Sequence, residues 1–127
     1  AGNHRQIVVR VNAECDRGIA ALVEALSEIN GLVTLDSCED GVWGAYVFFR
    51  RGDTWASLAE FLQALSDCLS AQAVPCVYTL CVEWVGSDSV PRAQMRLAPE
   101  HVDIVAAAIC KVVTTLNDRM TVSTYGR

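Results

Sequence analysis

Residues 16–31 read DRGIAALVEALSEING, and residues 32–51 continue LVTLDSCEDGVWGAYVFFRR. Ile19, Leu22, Val23, Leu26 and Ile29 recur at the spacing of one helix face. Asp16 offers an N-cap, and Asn30-Gly31 a C-terminal stop. The pattern then changes. Residues 32–38 read as a strand, Glu39-Asp40-Gly41 as a short turn-rich link, and residues 44–51 as a second strand.

Upstream, residues 6–13 (QIVVRVNA) alternate, with Ile7, Val9 and Val11 on one face and Val8, Arg10 and Asn12 on the other. That period of two predicts a strand. Downstream, Gly52-Asp53-Thr54 is a turn and an N-cap. The helix that follows carries Leu58, Phe61, Leu62, Leu65 and Leu69 on one stripe. Pro75 separates it from a strand over 76–85, a loop over 86–89 and a strand over 90–97. Pro99 suits a first helical position, and Val102, Val105, Ile109, Val112, Val113 and Leu116 make a last amphipathic helix. The order is β-α-β-β-α-β-β-α. It predicts a two-layer α+β sandwich with a mixed five-stranded sheet and three helices. Residues 1–127 then form one domain, with 1–5 and 121–127 expected to be flexible.

The 127 residues carry ten Lys+Arg against fifteen Asp+Glu, a net charge of −5, and are 52% hydrophobic. These values exclude a disordered chain, a coiled-coil rod and a basic nucleic-acid-binding tail. No apolar run approaches the roughly 18 residues of a membrane span, and no charged-then-apolar signal peptide opens the chain. Six cysteines (15, 38, 68, 76, 81 and 110) show no C-x-x-C pair and, with only His4 and His101, no zinc spacing. Reduced, mostly buried thiols and a cytoplasmic location are the expectation.

If the first two predicted strands flank a right-handed crossover, they are parallel and end at one sheet edge. That edge would gather Glu14, Cys15 and Asp16 from one loop with Asp36, Ser37, Cys38, Glu39, Asp40 and Gly41 from the other, where α/β sheets favour ligands. A small-molecule ligand or a partner held there is one reading, thiol chemistry at Cys38 a second, and a polar turn closing on a small buried cysteine the third and favoured one. Between Val11 and Phe49, Arg17 stands against seven acids: Glu14, Asp16, Glu24, Glu28, Asp36, Glu39 and Asp40. Such acidity raises a thiol pKa and repels phosphate, which disfavours nucleic acid. The carboxylates match no EF-hand pattern, and solvated turn acids are favoured over a Ca²⁺ or Mg²⁺ site. His101 is expected to be an exposed surface residue, and neither a metal nor a cofactor is expected.

The strands at 44–51 and 76–85 are apolar on both faces. Helices on one side would leave Tyr46, Phe48, Leu80 and Trp84, or their counterparts, on the other. A second copy of the chain would cover such a surface, making a homodimer; helices on both faces would do the same without a partner.

Thr34-x-x-Ser37-Cys38, after a helix ending at Ile29-Asn30, resembles the Thr-x-Ser-Ser-Cys-Ser-Gly signature of wybutosine-synthesising tRNA methyltransferases. It is also similar to a T-x-x-S-C-x-G segment of small bacterial proteins in which G-I-A-x-L-V precedes the motif; here Gly18-Ile19-Ala20-Ala21-Leu22-Val23 fits. The likeness covers about 30 residues, and Asp36 and Glu39 stand where the methyltransferase signature has serine. It implies S-adenosylmethionine as cofactor, tRNA as partner, and Thr34, Ser37 and Cys38 as site residues. The residues themselves assemble no catalytic set. The leading expectation is therefore a non-catalytic ligand- or partner-binding domain, and the alternative is an S-adenosylmethionine-dependent methyltransferase.

Overall fold

A computed structural model describes residues 6–8, 14–41 and 44–125 of the chain. Strands β1 (Gln6–Val8) and β2 (Glu14–Asp16) pair antiparallel, and a 3₁₀ turn over Arg17–Ile19 leads into α1 (Ala20–Ser27). Then come β3 (Leu32–Gly41), β4 (Gly44–Arg51), α2 (Trp55–Ser70), β5 (Val77–Val85), β6 (Asp88–Leu97) and, after a 3₁₀ turn over Pro99–His101, α3 (Val102–Tyr125). The main sheet runs β3-β4-β6-β5, antiparallel throughout.

The α+β class and three helices stand, but the five-stranded mixed sheet does not. The first strand pairs with β2, Ile7 opposite Cys15, and stays outside the main sheet. Among the described residues the parallel β-α-β unit is therefore absent; residues 9–13 of the expected first strand and the expected flexible start, 1–5, lie outside them. Alternation identifies a strand without choosing its neighbour, and a local antiparallel pairing closes a much shorter loop than a crossover does. Asp16 accordingly ends β2 rather than capping a helix. The N-cap of α1 is Ile19, which makes no side-chain capping bond. The polar tail also departs from expectation, because α3 continues to Tyr125. Its last turns hold no Gly or Pro before Gly126, so nothing local stops the helix.

Elsewhere the local signals hold. Thr54 caps α2, its hydroxyl accepting the Ser57 N–H at 3.1 Å. Gly86-Ser87 turns β5 into β6, and Gly86 takes a φ of +64°, as the first central residue of a tight hairpin turn requires.

All three helices lie on one face of the sheet, with α3 packed between α1 and α2. The sheet presents Ala45, Val47 and Phe49 of β4 and Ala93, Met95 and Leu97 of β6 to them. Onto these pack Leu22, Val23 and Leu26 of α1, Leu58, Phe61 and Leu65 of α2, and Val105, Ile109, Val112 and Leu116 of α3. Phe49 meets Phe61 edge to face at 5.7 Å between ring centres. Full burial of each large apolar side chain stabilises the fold by about 1.5–3 kcal/mol. Among the described residues one charged side chain joins this interior. Arg51 donates to the Asn30 carbonyl (3.1 Å), the Ser57 carbonyl (2.8 Å) and Glu60 (2.8 Å), tying the end of β4 to the turn before β3 and to α2.

Candidate functional site

The residues expected at a parallel sheet edge lie along β3, which is extended and paired with β4. Thr34 stands opposite Phe49 and Ser37 opposite Val47, on the helix-covered face. Asp36 stands opposite Phe48 and buried Cys38 opposite Tyr46, on the open face. A bulge at Leu35 separates Thr34 from Asp36 in register. Asp36 accepts the N–H of Ser37 at 2.9 Å. Glu39 continues the strand, and Asp16 lies in β2, which packs beside β3. The strand thus distributes Thr34, Asp36, Ser37 and Cys38 over two faces. Among the described residues, no group of three or more His, Cys, Asp or Glu side chains is placed to hold a metal ion.

The four expected interface residues are likewise divided by the sheet. Tyr46 and Phe48 lie on the open face, half-buried and edge to face at 5.8 Å. Around them that face supplies its own partners. Arg92 covers the Phe48 ring at 5.3 Å and pairs with Glu83, while Arg50 lies 3.7 Å from Asp53. Leu80 and Trp84 point the other way, because they stand opposite Ala93 and Ser89 on the helix side of β5. There they overhang the helix layer. Leu80 is 51% exposed, Val82 43% and Trp84 69%.

This overhang continues into an open groove of about 220 Å³ between α2 and β5, lined by Trp55, Leu58, Ala59, Leu62, Gln63, Ser66 and Leu80. Trp55, itself 44% exposed, was missing from the expected interface, and so was Val82. Both left a signal in the sequence. Trp55, Leu58, Ala59 and Leu62 follow the i, i+3, i+4, i+7 spacing of one helix face. Val82 shares its face of β5 with Leu80 and Trp84 by the period of two.

At the other end of β5, Cys76 and Tyr78 line a smaller pocket with Ser66, Leu69, Ser70 and Val74. Burial pushes the Cys76 thiol up to about 11, with the nearby Tyr78 hydroxyl pulling it partly back. Burial also raises Tyr78, and the neighbouring Cys76 adds to that. Both groups are held neutral, the opposite of what an activated nucleophile needs. Among the described side chains Cys38 is buried, Cys68 and Cys76 are half-buried, and Cys81 and Cys110 are exposed, against the expectation of mostly buried thiols. His101 is half-buried in the turn before α3. No described helix is long and apolar enough to cross a membrane.

No protein-family model, no curated protein and no solved structure matches this chain.

Proposed function

We propose that this chain is a non-catalytic partner-binding domain that works as a homodimer through its α2–β5 surface. The supporting observation is the apolar overhang of Leu80, Val82 and Trp84, continuous with the groove beside Trp55. Isolated exposed apolar residues are ordinary, but a contiguous patch with two tryptophans and no charge is what association surfaces carry. The open sheet face is a weaker candidate, since Arg92 already pairs with Glu83 and lies over the Phe48 ring, and Arg50 reaches Asp53.

The test is sedimentation velocity of the full chain over a range of concentrations. The expected species has twice the 13.8 kDa mass of one chain, and Trp84→Ser shifts it toward the monomer. A wild-type chain that stays monomeric throughout overturns the reading.

A further inference from the structure

The two edges of the main sheet are built differently. Strand β3 carries a bulge at Leu35 and acids at Asp36, Glu39 and Asp40, and β2 packs beside it. These are the devices that stop an edge from pairing with another chain. Strand β5 has none of them. Its nine residues, VYTLCVEWV, run without bulge, proline or lysine, and Glu83, its one charge, is bound to Arg92 of the neighbouring strand. Among the described residues nothing pairs with its outer side.

The register shows which backbone groups that outer side offers. Pro91 stands opposite Val82 and has no N–H, so the Val82–Pro91 pair is a non-hydrogen-bonded one. The tight hairpin after Val85 requires the same phase, because its closing pair Val85–Asp88 is hydrogen-bonded. Residues 78, 80, 82 and 84 therefore turn their N–H and C=O groups away from β6, toward the open edge. Their side chains are Tyr78, Leu80, Val82 and Trp84, on the helix side of the sheet.

We propose that two copies of this chain join antiparallel along β5, in the register that places Cys81 on the two-fold axis. The inference rests on the α2–β5 surface being the dimer interface. Cys81 is the midpoint of Val77–Val85, so this register overlaps all nine residues of both strands. Tyr78 of one copy then stands opposite Trp84 of the other, and Leu80 opposite Val82. On the open face Glu83 meets Thr79, so no like charges oppose each other. The outward backbone groups of residues 78, 80, 82 and 84 fall into hydrogen-bonded pairs, and the two Cys81 residues form a close, non-hydrogen-bonded pair. The seam joins two four-stranded sheets into one of eight.

The area is adequate for a second copy. Taking a tryptophan as roughly 200 Å², the exposed parts of Trp55, Leu80, Val82 and Trp84 offer about 400 Å² per copy. Both copies together offer about 800 Å², and the strand backbone brings the total to the roughly 1,000 Å² that a specific interface needs.

The closing experiment combines sedimentation with oxidative cross-linking of the full chain. Diamide joins two Cys81 thiols as a disulfide and is itself reduced to the hydrazine, taking both protons and both electrons. The expected result is a dimer that becomes covalent on oxidation, remains so in Cys110→Ser and fails to do so in Cys81→Ser. Val82→Lys puts two ammonium groups near the axis and is expected to raise the dissociation constant at least about 100-fold, while the circular dichroism spectrum stays unchanged. Trp84→Lys is the second variant should the first fail to fold. A dimer with no Cys81 link, or one indifferent to the lysine variants, overturns the β5 pairing and leaves the dimer reading standing. A monomer overturns both.

Discussion

Arg51 makes a sharp quantitative prediction, because the contacts of its guanidinium differ in environment. Its side chain is 4% exposed, whereas that of its ionic partner Glu60 is 45% exposed. Substituting Arg51→Met keeps the length of the aliphatic stem and removes the charged fork. The bonds to the Asn30 and Ser57 carbonyls are hydrogen bonds from a charged donor, each contributing about 1.5–3 kcal/mol. Relief from holding a guanidinium out of water offsets part of that sum. The net loss is expected at about 2–4 kcal/mol. Glu60→Gln breaks only the half-solvated ion pair and is expected to cost less than about 1 kcal/mol. Arg51→Lys recovers little, since an ammonium cannot hold the same fork geometry. Urea unfolding midpoints, all taken at one protein concentration because dimerisation would shift them, measure the three variants. If Glu60→Gln destabilises as much as Arg51→Met, the ion pair rather than the carbonyl bonds holds the joint, and the reasoning fails.

Other outcomes follow from single features of the fold. Gly44→Ala is expected to lower the melting temperature far more than Gly86→Ala. Both glycines have positive φ, but a Cβ at Gly44 would lie 2.7 Å from the Leu97 carbonyl oxygen, whereas Gly86 has open space around it. Thr54→Ala, which deletes the cap of α2, should cost about 1 kcal/mol in chemical denaturation, and Thr54→Ser almost nothing. Titrated with a thiol reagent at mildly alkaline pH, Cys81 and Cys110 should react well before Cys76, whose thiol is both buried and raised to about 11. The same shift makes stability fall with alkalinity. Between the ordinary thiol value of 9.0 and about 11 the unfolded chain releases the Cys76 proton while the folded chain keeps it, so the contribution is complete below that window and declines through it. Cys76→Ala should flatten that part of a pH–stability curve.

The elements were legible where one local rule sufficed. The stripe from Ile19 to Ile29, the Thr54 cap and the alternating inner faces of β4 and β6 all sit where periodicity and capping chemistry put them. What failed needed information about partners. Ile7, Val9 and Val11 announce a strand, yet nothing in their alternation chooses between a crossover to β3 and a turn back to β2. The candidate site suffered in the same way. Thr34, Ser37 and Cys38 look like one motif when read along the chain, but the Leu35 bulge and the pleat of an extended strand send neighbours to opposite faces.

The interface expectation shows how a face assignment depends on one pairing register. Tyr46 and Trp84 both belong to strands that are apolar on both sides, so sequence alone allows them to share a surface. Pairing of Tyr46 with Arg96 and of Trp84 with Ser89 separates them, because Arg96 and Ser89 lie on opposite faces of β6. The high apolar content therefore divides in two. On β4 it fills the core on one side and on the other supports the Tyr46–Phe48 pair with Arg92 lying over the Phe48 ring. On β5 it exceeds what three helices cover, and the surplus lies along the one edge that carries no defence against pairing. A strand that were merely an overflow of the core would be expected to carry charge or proline at its margin. Strand β5 has instead bound its only acid to Arg92, which leaves a neutral, regular edge suited to a second copy of itself.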